Sequence, residues 1–273
     1  MRLHLIFIIS AWFVCLGFAS AASESSDPAA TEQPSDLEAD LIKAGEMNTE
    51  GLPNSVRSVL DQYYVASMGG EENWKQVQSL RFKGELETAE GIIFDFSAYM
   101  KKPNLCKAVI SSKGLSFRYT LAFDGEDAWQ STYDPSTGEQ VSDMPEAEAS
   151  NFKRDAWFGG QLLYPTLKGK EIEQGATYRK DGVPVVDLNV TSRLGSKLTY
   201  TIALDGFIEI ARKHFNRVNG QIEVSEYSDF REVSGISIPF LTVLSSDGVV
   251  IQTIRTTTVE VNRGVASWMF DRP

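Results

Sequence analysis

Few residues of this chain have the type and spacing that catalysis requires. Residues 150–153 (SNFK) have the S-x-x-K spacing with which a lysine can activate a serine nucleophile, but the supporting K-T-G segment is missing. The sequence contains no G-x-S-x-G elbow, P-loop or G-x-G-x-x-G turn. Ser150 and Lys153 are therefore interpreted as part of an exposed helix face, and a hydrolase is the least favoured hypothesis.

Histidine and cysteine are scarce. The 273 residues include two His and two Cys, and one of each lies in the first fifteen residues. His214 falls in a strand-like run, which predicts a solvated position, and it stays the alternative base for a hydrolase. Cys106 also falls in a strand, which predicts a buried apolar side chain. We expect no catalytic residue, no metal site and no cofactor.

Acidic residues dominate the charge. The 37 Asp and Glu exceed the 26 Lys and Arg, for a net charge of −11. This excess argues against nucleic-acid binding, which requires a basic face for the phosphates. Residues 124–127 (DGED) lack the full ligand spacing of a calcium loop and predict a hairpin turn.

The N-terminus has the three parts of a secretory signal peptide. A short basic start (residues 1–4) precedes the apolar run Leu5–Phe18 and the small-residue cleavage site Ala19–Ala21. The run is too short to cross a bilayer, which requires about 20 residues. We expect cleavage after Ala21 and a periplasmic or secreted protein, with lipidation at Cys15 as the less favoured alternative.

Local patterns after the signal divide the chain into a tether and one domain. Residues 22–50 are rich in Ala, Ser, Glu and Pro and predict a flexible acidic tether, with a short helix near 37–47. The domain of residues 51–273 begins with a helix at Pro53 that ends at Gly69–Gly70, followed by a short helix over 71–77. Residues 145–158 predict another helix.

Residues from Ser79 onward alternate between apolar and polar with period 2, which is typical of strands with one buried face. Nine Gly-containing turn signals separate the runs, for example Glu90–Gly91 and Asp247–Gly248. We therefore predict a mainly β fold with α-helices, in which about 10–11 antiparallel strands curl into a barrel or half-barrel. The helices would cover its open side.

The apolar face of the strongest runs supplies a candidate interior. These residues would line either a lipid-sized cavity or a packed core, and periodicity does not separate the two: Phe82, Phe94, Phe96, Phe117, Tyr119, Leu121, Tyr200 and Ile202. Trp157 and Phe158, in the helical excursion, would belong to a cover over this interior.

Several segments together resemble a known family. Residues 60–70 (LDQYYVASMGG), Trp74 and residues 79–84 (SLRFKG) are similar to the helix, Gly-Gly stop and first strand of LolA-like outer-membrane lipoprotein-sorting proteins. Further similar segments follow in the same order: residues 157–160 with Leu162, Gly175 with residues 181–184, residues 227–240, residues 259–262 and residues 269–273. The resemblance covers about residues 57–273.

The resemblance implies an unclosed β half-barrel with helices over its mouth and an apolar cavity for acyl chains. It favours a non-enzymatic periplasmic carrier whose partner is the acyl chain of a lipid or lipoprotein, with transient membrane contact. The alternative is an envelope sensor or protein-interaction module on the same fold, with an envelope protein as partner.

Overall fold

The structure is a computed structural model that describes most of the chain. It covers residues 40–273 except Lys113, Leu115, Leu194 and residues 217–219, and it gives the backbone but not the side chain of Arg154. The predicted signal peptide, with Cys15 and the cleavage site after Ala21, lies outside the described residues, as do residues 22–39 of the predicted tether.

Antiparallel strands dominate the described chain. Six of them precede the longest interruption of the sheet: β1 (Ser79–Thr88), β2 (Ile93–Lys101), β3 (Leu105–Ser112), β4 (Phe117–Phe123), β5 (Ala128–Asp134) and β6 (Gly138–Asp143). Seven follow it: β7 (Glu171–Lys180), β8 (Val183–Thr191), β9 (Lys197–Ala203), β10 (Ile208–Asn216), β11 (Gln221–Val233), β12 (Ile236–Ser246) and β13 (Val249–Val261).

All thirteen strands belong to one sheet, in the order β6-β5-β4-β3-β2-β1-β13-β12-β11-β10-β9-β8-β7. Strands that are neighbours in sequence pair as hairpins, except β6 and β7. The first strand, β1, pairs with the last, β13, in the middle of the sheet, from Leu80↔Val261 to Thr88↔Gln252. The edge strands β6 and β7 do not pair with each other. The sheet is therefore an unclosed half-barrel, which confirms the predicted fold class with more strands than alternation indicated.

Besides the helical residues 40–44, three α-helices accompany the sheet in the described chain: α1 (Asn54–Met68), α2 (Gly70–Gln76) and α3 (Glu146–Asp155). Gly69 separates α1 from α2 in a left-handed conformation, with φ of 72°. Each of the three lies within or next to a segment that the sequence predicted to be helical. A 3-10 turn at Ser267–Phe270 closes the chain.

The hydrophobic core lies on the concave face of the sheet. In β2, Phe94, Phe96, Ala98 and Met100 are buried and alternate with more exposed residues, and β12 shows the same period-2 pattern. The buried residues of α1 and α2 belong to the same core. On the convex face, the indole of Trp129 donates a hydrogen bond to the carbonyl of Phe270, so the C-terminal turn covers that side.

Residues 40–52 pack against the domain. Residues 40–44 are helical, and Ala44 is buried. The Glu46 carbonyl accepts a hydrogen bond from Tyr164 N at 2.7 Å, and its carboxylate accepts one from Tyr164 Oη at 2.9 Å. This segment thereby supports the loop that follows α3.

Candidate functional site

The C-terminal end of α1 is fixed against the β11–β12 turn. Asn73 Nδ2 lies 3.1 Å from the carbonyl oxygen of Met68 and 3.2 Å from that of Ser234, so one amide bridges the helix corner and the turn. A Cβ on Gly69 would lie 2.4 Å from the carbonyl oxygen of Gly235, so only glycine permits this approach. This contact, called the Asn73 clamp below, holds α1 over β12.

The loop after α3 covers the same side of the sheet. Phe158 packs on Trp74 with ring centroids 5.2 Å apart, and Lys102 Nζ lies 5.0 Å from the centroid of the Trp74 ring. Lys102 also donates hydrogen bonds to Glu46 and to the Trp74 carbonyl. From α1, the Tyr64 hydroxyl donates a 2.6 Å hydrogen bond to the carbonyl of Leu162, which joins the helix to this loop.

A buried lysine holds the middle of the loop. Lys170 Nζ donates to the carbonyls of Gln161 and Leu163 at 3.1 and 2.7 Å, and it lies 5.4 Å from the centroid of the Trp157 ring. Burial lowers the pKa of Lys170 to about 7. Trp157 in turn meets Tyr164 edge-on, with centroids 5.7 Å apart.

An apolar compartment of about 140 Å³ lies between α1 and the concave face. It lies where α1, α2, the loop after α3 and the four strands β1, β2, β12 and β13 meet. Its walls are mainly apolar, with Tyr63, Ser67 and Met68 from α1, Leu80 and Phe82 from β1, Phe96 from β2, and Ile236, Ile238 and Pro239 from β12. Two predicted interior residues, Phe82 and Phe96, therefore line this space.

A second compartment of about 160 Å³ continues from the first and has walls of more polar character. The two compartments share Tyr63, Ser67, Gly159, Ser237 and Pro239, so they form one crevice under α1. The second adds four polar side chains from β9, β10 and β11: Tyr200, Glu209, Arg212 and Tyr227.

A β-bulge brings two charged residues of β10 to this compartment. The pairing of β10 with β9 shifts register between Glu209 and Ala211, next to the Arg212↔Tyr200 pair. A bulge inserts one extra residue and re-aims the side chains beside it. Both Glu209 and Arg212 consequently line the compartment, although a regular strand would point them to opposite faces.

The surroundings set the charge of these groups. Burial raises the pKa of Glu209 to about 7, although Arg212 and a hydrogen bond from Tyr227 favour its ionised form. Burial alone would lower the pKa of Arg212, but Tyr227, Tyr200, Glu209 and Asp155 hold it above its ordinary value. Arg212 thus remains charged, while Glu209 takes up a proton near neutral pH.

The other predicted interior residues occupy different places. Phe94, Leu121, Ile202 and Phe158 are buried in the hydrophobic core, and Tyr200 is a wall of the polar compartment. Tyr119 is half-buried against the core, and its hydroxyl donates a 2.6 Å hydrogen bond to Gln130. Phe117 and Trp157 are half-buried. The structure brings together Phe82, Phe96 and Tyr200 around the crevice.

Sequence reasoning missed the walls supplied by α1, β12 and β10. Alternation in residues 208–216 could have indicated that Arg212, His214 and Asn216 share one face, and all three are buried. The prediction of a solvated His214 is wrong: it is 6% exposed, and Nε2 lies 3.3 Å from a carboxylate oxygen of Glu223. The facing strand places this carboxylate beside the buried imidazole.

The remaining chemical candidates have structural positions. Ser150 is exposed, and Lys153 Nζ donates to the carbonyl of Glu126, which fits the predicted exposed helix face. Cys106 is fully buried as predicted, and burial raises the pKa of its thiol. Asp124 accepts hydrogen bonds from the amides of Glu126 and Asp127, which confirms the predicted turn.

Metal and membrane features are absent from the part of the chain that the structure describes. Within residues 40–273, apart from the stated gaps, no three His, Cys, Asp or Glu side chains gather as a metal site would need. Over the same described residues, no helix has the length and apolar character to cross a membrane.

Comparison with solved structures identifies the fold. A LolA superfamily protein from Nitrosomonas europaea matches with a TM-score of 0.55 and 12% identity, over 80% of this chain and 97% of that one. A domain described as an outer membrane lipoprotein-sorting protein, from Vibrio parahaemolyticus, matches with a TM-score of 0.52 and 9% identity, over 73% and 93% of the two chains.

A DUF1329 family protein from Desulfovibrio piger is similar as well, with a TM-score of 0.57 and 11% identity over 80% of this chain and 98% of that one. No protein-family model and no curated protein sequence matches the chain. The fold is that of LolA-like proteins, as the sequence resemblance predicted.

Proposed function

We propose that this protein is a non-enzymatic binding protein of the periplasm that holds the acyl chain of a lipid or lipoprotein in the crevice under α1. The apolar compartment is the observation that carries this proposal, because Met68, Phe82, Phe96 and Ile238 offer it hydrocarbon walls. Burial of a chain there gains about 0.8 kcal/mol per methylene. The lipoprotein-sorting description of a protein with the same fold supports this choice of ligand.

The size of the compartment implies that binding requires opening. Its 140 Å³ is close to an engineered protein cavity of about 150 Å³ that accepts one benzene ring. About six carbon atoms would therefore fit without movement. A longer chain requires α1 and the loop after α3 to separate from the sheet.

Polar contacts resist this opening, in addition to the apolar packing of α1 on the core. They include the Asn73 clamp and the Tyr64–Leu162 hydrogen bond, each with a net value of about 1 kcal/mol. Ten buried methylenes would contribute about 8 kcal/mol, which exceeds the loss of these two polar contacts and leaves a remainder to offset the separation of α1 from the core. The closed crevice is thus compatible with a long-chain ligand.

Export to the periplasm is part of the proposal and rests on residues 1–21. The charged start, the apolar run and the small residues at Ala19–Ala21 support a cleaved signal. N-terminal sequencing of the mature protein from an expressing bacterium would test it. We expect a chain that begins at Ala22, and an uncleaved Met1 in the cytoplasm would refute export.

Acyl binding is tested with delipidated protein and a fluorescent fatty acid. Ser67→Phe on α1 and Ile238→Trp on β12 would each narrow the crevice from opposite walls, because Ser67 lines both compartments and Ile238 lines the apolar one. Ser58→Phe is the matched control, since Ser58 is exposed on the same helix. Thermal melts verify that each variant is folded.

We expect saturable binding by the unmodified protein and by Ser58→Phe. Ser67→Phe and Ile238→Trp should bind at least about tenfold more weakly, which corresponds to 1.4 kcal/mol. Absence of fatty-acid binding by the unmodified protein, or equal binding by all folded variants, would refute the proposal. A stable complex with an envelope protein that is indifferent to acyl chains would favour the interaction-module alternative.

A further inference from the structure

The polar compartment beside the acyl crevice has the groups of a head-group site. Arg212 is 2% exposed and lines this compartment, together with Glu209 and Tyr227. A buried guanidinium that borders an open space is unusual for a sheet interior, because charged side chains are rarely buried at all. Here the bulge in β10 directs it toward the space.

The donors of this compartment converge from three neighbouring strands. Arg212 on β10 lies with its guanidinium carbon 6.0 Å from the ring centroid of Tyr200 on β9, and Tyr227 comes from β11. Guanidinium and phenol groups donate hydrogen bonds to oxygen anions, and arginine matches the planar geometry of carboxylate and phosphate. The compartment therefore suits an oxygen-rich anionic group.

The two compartments form a continuous site with two characters. They share the walls Tyr63, Ser67 and Pro239, so a ligand with its chain at Phe82 and Phe96 has its polar end near Arg212. We propose that Arg212, Glu209 and Tyr227 bind the carboxylate or phosphate head group of an anionic amphiphile whose acyl chain occupies the apolar compartment. This inference rests on the proposed function and names the ligand class.

Charges around Arg212 make the binding proton-linked. The titratable groups that act on it are Glu209 on the same strand, Tyr200 and Tyr227 on the neighbouring strands, and Asp155 at the end of α3. Tyr63 from α1 also lines the compartment, and burial raises its pKa. Because ionised Glu209 would repel an anion, we expect tighter binding below neutral pH, where Glu209 carries a proton.

The test uses eight-carbon amphiphiles with different head groups, called octyl ligands here: octanoic acid, octyl phosphate and octanol, with inorganic phosphate as the chain-free probe. Each competes with the fluorescent fatty acid for delipidated protein. We expect octanoate and octyl phosphate to bind at least about tenfold more tightly than octanol, and inorganic phosphate not to compete. Arg212→Gln and Tyr227→Phe should reduce this preference and leave octanol affinity within about twofold.

Octyl sulfate tests the proton link, since it keeps one charge across the pH range. Its affinity should fall between pH 6 and pH 8 in the unmodified protein and stay constant in Glu209→Gln.

Equal binding of octanol and octanoate, or loss of all three octyl ligands in Tyr227→Phe, would overturn the head-group site while acyl binding stands. Competition by inorganic phosphate alone would show a free-anion site instead. Failure of the unmodified protein to bind any octyl ligand would refute the proposed function itself.

Discussion

If the crevice must open to admit a long chain, weakening the Asn73 clamp should accelerate ligand entry. In Asn73→Ala, the amide contacts with Met68 and Ser234, at 3.1 and 3.2 Å, are lost. The Ser234 contact is exposed, so water can replace the donor there. A net hydrogen bond contributes about 1 kcal/mol, and we expect the open state to be favoured by about 1–1.4 kcal/mol.

This change in free energy corresponds to a 5- to 10-fold larger open population. If a long-chain ligand enters only the open state, its observed association rate and its apparent affinity rise by the same factor. Stopped-flow fluorescence with a labelled fatty acid measures the rate. A urea titration of the same variant should show a loss of about 1 kcal/mol in the free energy of unfolding.

Asn262→Ala is the matched control. The Asn262 amide also bridges a helix end and a strand, because it accepts from Gln78 N at 2.7 Å and donates to the Gln76 carbonyl at 2.7 Å. It lies outside the walls of both compartments. We expect a comparable or larger loss of stability with an unchanged association rate. Equal rates in Asn73→Ala and the unmodified protein, or acceleration in both variants, would refute entry through this corner.

Three further predictions concern the cover and the buried charges. Gly159→Ala should destabilise by about 2 kcal/mol in urea titrations, because its Cβ would lie 2.5 Å from Trp74, whereas Gly160→Ala, with nothing within 4 Å, should cost only about 1 kcal/mol for its positive φ. The folded pKa of Glu209 is raised from 4.5 to about 7, so its contribution to stability is fully present below about pH 4.5 and is lost as the pH rises through 7. Glu209→Gln should remove this loss, so the free energy of unfolding of the variant should not fall between pH 4.5 and pH 7 from this cause. Lys170 has the opposite sign, because its pKa is lowered from 10.5 to about 7 in the fold, so stability rises with pH between 7 and 10.5, and Lys170→Met should abolish that rise.

Local sequence signals predicted the meander well. Nine of the eleven hairpin turns carry a Gly-containing signal, and the helix break at Gly69 has the left-handed conformation that glycine favours. The two turns without such a predicted signal are at residues 102–104 and 192–196. The first turn is held by tertiary contacts of Lys102 with Glu46 and Trp74, whereas the second is closed by local hydrogen bonds between Ser192 and Ser196.

The additional strands had weak periodicity because they lie at the edges of the sheet. In the edge strand β7, one residue of ten, Ile172, is buried, and the edge strand β6 has none. Alternation reports burial of one face, so it fades where neither face packs on the core. Strand count is therefore the feature that period-2 analysis underestimates here.

The sequence predicted only part of the crevice lining, namely residues on the strands of the sheet. Phe82, Phe96 and Tyr200 came from strand alternation, but alternation identifies an interior face and not which part of it borders a space. Arg212 and Glu209 share one face because of a bulge, and a bulge leaves no periodic pattern in the sequence from which it could be predicted. His214 was misplaced because its partner, Glu223, lies on the facing strand rather than nearby in sequence.

The most direct test is to locate a bound acyl chain by methionine methyl NMR. A spin-labelled fatty acid broadens the methyl signals near the bound chain, and Met68 lines the apolar compartment. Met269 is the internal control, because it belongs to the C-terminal turn on the convex face, where its carbonyl accepts a hydrogen bond from Lys107. We predict selective broadening of Met68 that an unlabelled fatty acid reverses. Broadening of Met269 with Met68 unaffected, or no selective broadening at all, would contradict binding in the crevice.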